Sequence, residues 1–88
     1  MAQKITSSQM RAARALLRWS ALDLAKASKV GVATIRRVEV VDGEISVTLA
    51  NEAALRQALE AAGVEFIDDN GGGPGVRLRK PVKGKSGK

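Results

Sequence analysis

The side chains best suited to chemistry in this sequence are cationic and lie close together. One short stretch holds Lys26, Lys29, Arg36 and Arg37. Ammonium and guanidinium groups donate hydrogen bonds to phosphate, and a guanidinium also forks onto the O6 and N7 atoms of guanine. Ser20 and Thr34 add hydroxyl groups to the same stretch. These residue types predict a surface that binds a polyanion.

Catalytic chemistry has few groups available. The chain of 88 residues contains no histidine and no cysteine, which excludes His general bases, Ser-His-Asp triads and thiolate metal ligands. The loop at 71–75, Gly-Gly-Gly-Pro-Gly, lacks the lysine-hydroxyl ending and the following helix of a phosphate-binding loop. We therefore expect a protein that is not an enzyme and that uses no cofactor and no metal.

The charges are segregated along the chain. Residues 4–37 hold eight basic residues and one acid, residues 38–75 hold eight acids and one arginine, and residues 76–88 hold six basic residues and no acid. The net charge is +6. Segregation of this kind is typical of a protein that presents one face to a polyanion.

Composition predicts one small helical domain. Hydrophobic residues make up 44% of the chain and aromatic residues only 2%, so the core must consist of Ala, Leu, Val and Ile. A core of this size gains from a partner subunit. No apolar run is long enough to span a membrane, and the first residues lack the apolar segment of a signal peptide. We expect a cytoplasmic, nucleoid-associated protein.

Capping signatures place the first three helices. Thr6 with Gln9, and Ser20 with Asp23, have the spacing of capping boxes. The first helix carries an apolar face, formed by Met10, Ala13, Leu16 and Leu17. The second helix is short and ends at 28–31. The third runs from about 31 to 40.

A fourth helix and a hairpin follow. The helix runs from about Thr48 to Ala62, and Gly63 is a natural residue to end it. Its apolar stripe consists of Leu49, Ala53, Leu55, Ala58, Leu59 and Ala62. Residues 64–68 and 76–79 predict two strands joined by a glycine-rich loop. The tail at 81–88 is rich in Lys and Gly, and we expect it to be disordered.

Residues 19–39, Trp-Ser-Ala-Leu-Asp-Leu-Ala-Lys-Ala-Ser-Lys-Val-Gly-Val-Ala-Thr-Ile-Arg-Arg-Val-Glu, carry a motif. They resemble the helix-turn-helix of the Cro/cI-type (Xre) transcriptional regulators, and the similarity extends over about residues 5–80. The apolar positions that lock the two helices of that motif are Leu24, Val30, Ile35 and Val38, and the small residue at their crossing is Ala25. The chain departs from the family pattern at Ala21, Lys29 and Gly31, where the family usually has Gln, Gly and Ser or Thr.

The resemblance implies a fold and an assembly. The fold class is mainly α: a compact four- to five-helix lambda-repressor-like DNA-binding domain over residues 1–63, with a C-terminal β-hairpin over residues 64–80 as the dimerisation element. The partner is double-stranded DNA, bound by a homodimer on an operator with two-fold symmetry, and no membrane is involved. An ion pair between Arg14 and Glu39 is also implied.

The resemblance further implies a role for each site residue. The recognition helix at 31–40 enters the major groove with its first residues against base edges. Val32 and Ala33 read shape or a thymine methyl group, while Arg37 forks onto guanine. The remaining DNA-binding residues contact the phosphates of the DNA and so position the protein on it. They are Ser20, Lys26, Lys29, Thr34 and Arg36.

Three alternatives remain open. The chain can instead be a protein-interaction module on the same fold, such as an antitoxin or an anti-activator, because Val32 and Ala33 offer weak base-reading chemistry. The hairpin can pack on its own helices or pair with that of a second subunit, and we expect the second arrangement. Trp19 is expected to be a core residue rather than a stacking platform for a base.

Overall fold

Four helices and one two-stranded hairpin make up the structure, a computed structural model that describes residues 4–79. The helices are α1 (Ser7–Leu17), α2 (Ala21–Ser28), α3 (Val32–Glu39) and α4 (Leu49–Ala61), and the strands are β1 (Val64–Ile67) and β2 (Gly75–Leu78). The predicted mainly helical class and the C-terminal hairpin are confirmed. The predicted disordered tail at 81–88 lies outside the described residues.

Both predicted capping boxes start the helices assigned to them. At α1, the hydroxyl of Thr6 accepts a hydrogen bond from the Gln9 backbone at 3.0 Å, and the Gln9 side chain accepts one from the Thr6 backbone at 2.8 Å. Ser20 and Asp23 form the same reciprocal pair at α2, at 3.0 and 2.9 Å. Each box satisfies two backbone N–H groups that the helix itself leaves unpaired.

All four helices and β1 contribute to one core. Its buried apolar side chains are Ile5, Met10, Ala13, Leu24, Val30, Ile35, Val38, Ile45, Leu55, Leu59 and Val64. Trp19 packs against this cluster and is partly buried, as predicted. Two predicted core residues are exposed: Leu16 to 40% and Leu49 to 78%. Each lies about a quarter of a turn around its helix from the centre of the buried face.

Two irregular segments close the core at one end. Ile45 donates a backbone hydrogen bond to the carbonyl of Ile5 at 3.2 Å, and Ser7 donates one to Gly43 at 2.9 Å. These bonds hold the start of the chain against the loop between α3 and α4. The side chains of Ile5 and Ile45 are both buried as a result.

The hairpin packs on the helices of its own chain. In its antiparallel register, Val64 lies opposite Leu78 and Phe66 opposite Val76. Val64 is fully buried, and Phe66 and Val76 pack against the core, whereas Leu78 stays 49% exposed. The hairpin's apolar side chains are therefore covered largely within one chain, so their burial no longer argues for pairing with a second subunit.

Two polar side chains attach the hairpin to the helices. The Gln9 amide donates hydrogen bonds to the carbonyls of Ile67 and Gly75, at 3.3 and 3.0 Å. The Arg56 guanidinium of α4 lies 5.2 Å from the centroid of the Phe66 ring, a cation–π geometry. Gln9 thus joins both strands to the first turn of α1, and Arg56 joins β1 to α4.

One arginine joins three parts of the chain. The guanidinium of Arg14 on α1 donates two hydrogen bonds to the Glu39 carboxylate on α3, at 2.8 and 2.7 Å. Its third nitrogen donates to the Trp19 carbonyl at 2.8 Å. The hydrogen bonds to Glu39 raise the pKa of Arg14. The predicted ion pair is confirmed, and it fixes α3 and the start of α2 relative to α1.

We predict that Arg14→Ala lowers the free energy of unfolding by about 3 kcal/mol, because it leaves the Glu39 carboxylate unpaired. Glu39 has a side chain only 8% exposed. Replacing both partners by Met should cost less than the single change, because no unpaired charge remains. Urea denaturation of the variants measures this. Arg77→Ala, which removes the exposed ion pair with Glu65, is the control; losses as large there would contradict the assignment.

A second prediction concerns Ser7, the first residue of α1. Its hydroxyl is fully buried and has no hydrogen-bond partner within residues 4–79. Ser7→Ala removes this unpaired group and improves helix propensity, so it should raise the free energy of unfolding by about 1 kcal/mol. Thermal denaturation should show a midpoint higher by about 5 °C. Ser8→Ala, at the exposed neighbouring position, should have a smaller effect.

Candidate nucleic-acid interface

A three-residue turn sets α2 against α3. Its first residue, Lys29, adopts a left-handed conformation with φ of 66°, and its N–H donates to the Ala25 carbonyl at 2.8 Å. The apolar positions around the turn are all buried, namely Leu24, Val30, Ile35 and Val38. The predicted interlocking of the two helices is therefore confirmed, although Lys29 occupies a position that glycine adopts at lower cost.

One face of α3 is turned to solvent. The opposite face is anchored in the core by Ile35 and Val38 and by Glu39, which pairs with Arg14. The outward face presents Ala33, Arg36 and Arg37, all exposed, and Val40 continues it at 80% exposure. Thr34 and Val32 flank this face and are partly buried. The first turn of the helix thus shows solvent an apolar surface, and the next turn shows two guanidinium groups.

The basic side chains divide into two groups. Residues 4–79 contain eleven of them. Five form hydrogen bonds or ion pairs within the chain: Arg11, Arg14, Arg56, Arg77 and Arg79. In this part of the chain the other six show no such bond, and they are Lys4, Arg18, Lys26, Lys29, Arg36 and Arg37. Five of these six lie between the end of α1 and the second turn of α3, where they remain available to an external anion.

A groove of about 400 Å³ borders the outward face of α3 at Arg37. Its lining comprises Thr34, Arg37, Ser46, Val47, Thr48 and Asn51. Thr48 caps α4, its hydroxyl accepting from the Asn51 N–H at 3.1 Å. From the sequence, Thr48 is predicted only as a helix start, and Ser46 and Asn51 have no predicted role. The sequence does not indicate that these residues share a groove, because they meet only when α3, the following loop and α4 have packed together.

The first turn of α2 carries a negative charge at the edge of the basic surface. Asp23 accepts a hydrogen bond from the backbone of Ser20, and this bond is the main reason that the pKa of Asp23 is lowered. The hydroxyl of Ser20 accepts from the Asp23 N–H. Ser20 is exposed, but its hydroxyl oxygen already serves as the helix cap, so only its hydroxyl hydrogen remains to donate to a phosphate.

The predicted site residues lie between the N-cap of α2 and the second turn of α3. Six of them are exposed: Ser20, Lys26, Lys29, Ala33, Arg36 and Arg37. The partly buried Val32 and Thr34 complete the set. Arg18, which the prediction omitted, is exposed at the end of α1 and has a φ of 58°. Arg18 directly precedes the motif and follows Arg14 in a basic helix end, and this position in the sequence could have predicted it as a site residue.

Within residues 4–79, no group of three His, Cys, Asp or Glu side chains is arranged to hold a metal ion. None of the helices α1 to α4 is both long and apolar enough to cross a bilayer.

Neither the scan against protein-family models nor the search of curated proteins finds a match to the chain.

We predict that Lys29→Gly raises stability and weakens binding to DNA. Glycine relieves the left-handed backbone at φ 66°, which should add about 1 kcal/mol to the free energy of unfolding. The same change removes one cation from the surface around α3, so affinity for any duplex should fall. Chemical denaturation and fluorescence anisotropy measure the two effects. Arg18→Gly, at φ 58°, tests whether the gain in stability is a property of the backbone conformation.

Proposed function

We propose that this protein is a sequence-specific double-stranded DNA-binding transcriptional regulator of the helix-turn-helix type, similar to the Cro/cI-type (Xre) regulators, with a lambda-repressor-like arrangement of its helices. The observation that carries the proposal is the division of the basic side chains. Those outside the motif are mostly bound within the chain, whereas Lys26, Lys29, Arg36 and Arg37, on α2, the turn and α3, form no hydrogen bond or ion pair among residues 4–79. Unpaired cations around an exposed helix suit a duplex.

In the proposed complex, α3 lies in the major groove. Its outward face would place Ala33 and Arg37 against base edges, and Val32 beside them at the start of the helix. Lys26 and Lys29, together with Arg36 on the outward face itself, would contact phosphates, which fix the register of the helix without reading sequence. Ser20 and Thr34 supply hydroxyl donors at the two sides. By occupying or bending promoter DNA, the protein would then change transcription.

The proposed regulator acts as a homodimer on a two-fold symmetric operator. One α3 of two turns offers few base contacts, and a second copy doubles them at a fixed spacing. Within residues 4–79 the sheet has two strands, so β1 and β2 each have one outer edge through which two hairpins could join. Sedimentation at tens of micromolar tests this assembly. A protein that binds its operator tightly and still sediments as a monomer would contradict the dimer.

A second candidate is a protein-interaction module, such as an antitoxin or an anti-activator. It is favoured by large apolar side chains that remain exposed near the end of α3 and the start of α4, namely Val40 (80%), Val41 (58%) and Leu49 (78%). Electrophoretic mobility shift with a pool of random duplexes at low salt separates the two candidates. Absence of any shift, with the protein folded, would favour the second.

We predict two different losses of DNA binding. Lys26→Ala should weaken binding to every duplex alike and reduce the salt dependence by about one released counterion. Arg37→Ala should instead lower the discrimination between operator and random DNA by about 1–3 kcal/mol. Titrations at several salt concentrations measure both. Gln57→Ala, at an exposed position of α4, is the control and should change neither. Unaltered discrimination by Arg37→Ala would refute its base-reading role.

A further inference from the structure

The outward face of α3 carries few of the side-chain types that read bases in DNA. Asn and Gln are the side chains that pair with adenine, and Asp and Glu are those that accept from cytosine. Of these four types, α3 contains only Glu39, which is buried and paired with Arg14. The outward side chains that remain are Ala33 and the two arginines. Such a face can recognise guanine through a guanidinium and a methyl group through an apolar contact.

Resting on the proposed function, we propose that Ala33 and Arg37 together read a pyrimidine 5-methyl group next to a guanine. The two residues are four positions apart and both exposed, so they lie one above the other, about 6 Å apart along the helix axis. The Arg37 guanidinium forms no bond within residues 4–79 and is free to fork onto O6 and N7 of guanine. The Ala33 methyl group then meets the C5 position of the neighbouring pyrimidine.

In this arrangement Ala33 recognises the 5-methyl group of the pyrimidine and not the rest of the base. Thymine and 5-methylcytosine both carry it in the major groove, whereas uracil and cytosine do not. Ala33 has no hydrogen-bonding group with which to distinguish the exocyclic oxygen of thymine from the amino group of cytosine. The protein should therefore treat a thymine–guanine step and a methylated cytosine–guanine step alike.

The experiment begins with in vitro selection of the full chain on a pool of random duplexes. The selected sequence should contain a thymine next to a guanine. That thymine is then replaced in turn by deoxyuridine, 5-methylcytosine and cytosine, and affinities are measured by fluorescence anisotropy. Loss of one methyl contact should weaken binding about fourfold for uracil against thymine, and for cytosine against 5-methylcytosine.

Ala33→Gly assigns the effect to its side chain. This variant should bind the thymine and uracil duplexes equally. Ala50→Gly is the matched control, because Ala50 is the exposed second residue of α4, as Ala33 is of α3. It carries the same cost in helix propensity and should retain the fourfold preference.

The outcomes separate this inference from the proposed function. Enriched sequences without a thymine next to guanine, or equal binding of the thymine and uracil duplexes by the parent protein, would overturn the methyl readout and leave DNA binding intact. A preference that persists in Ala33→Gly would also overturn it. Failure to bind any duplex at low salt would overturn the proposed function itself.

Discussion

The ion pair between Arg14 and Glu39 determines where the exposed face of α3 points. Because the guanidinium forms two hydrogen bonds with the carboxylate and a third with the Trp19 carbonyl, it holds α1, the entry to α2 and α3 together. Arg11 adds a hydrogen bond from α1 to the carbonyl of Glu39, the last residue of α3. The buried charges are costly unless paired, so the geometry that pairs them is strongly preferred.

With α3 held in this way, its two arginines are turned away from the core. Ile35 and Val38 anchor one side of the helix in the core, so Arg36 and Arg37 must lie on the other. The left-handed Lys29 ends α2 and begins the turn that leads into α3. The apolar core and the ion pair between Arg14 and Glu39 therefore leave Arg36 and Arg37 exposed, without a hydrogen bond or ion pair among residues 4–79.

The local elements were predictable because their signals are local. Capping boxes at Thr6 and Ser20 and the apolar spacing of Ile35 and Val38 depend on residues within a turn of one another. The errors have the same origin. Leu49 matches a helical stripe by spacing, yet it lies outside the region that α4 buries. Ile5 and Ile45 lie in irregular segments without periodicity, so no pattern marks them as core residues.

The sequence by itself determined the residue types of this protein: no histidine or cysteine for catalysis, three blocks of charge, and helices with defined ends. Only the tertiary structure decided which cations are bound within the chain, how the groove beside Arg37 is lined, and that the hairpin packs on α1 and α4. The physical reason is distance along the chain. The pair of Arg14 and Glu39 was expected only through the resemblance to a known motif, because no local pattern predicts it. Arg14 meets Glu39, and Gln9 meets Gly75, only after the core has folded, and neither spacing follows from local conformational preference.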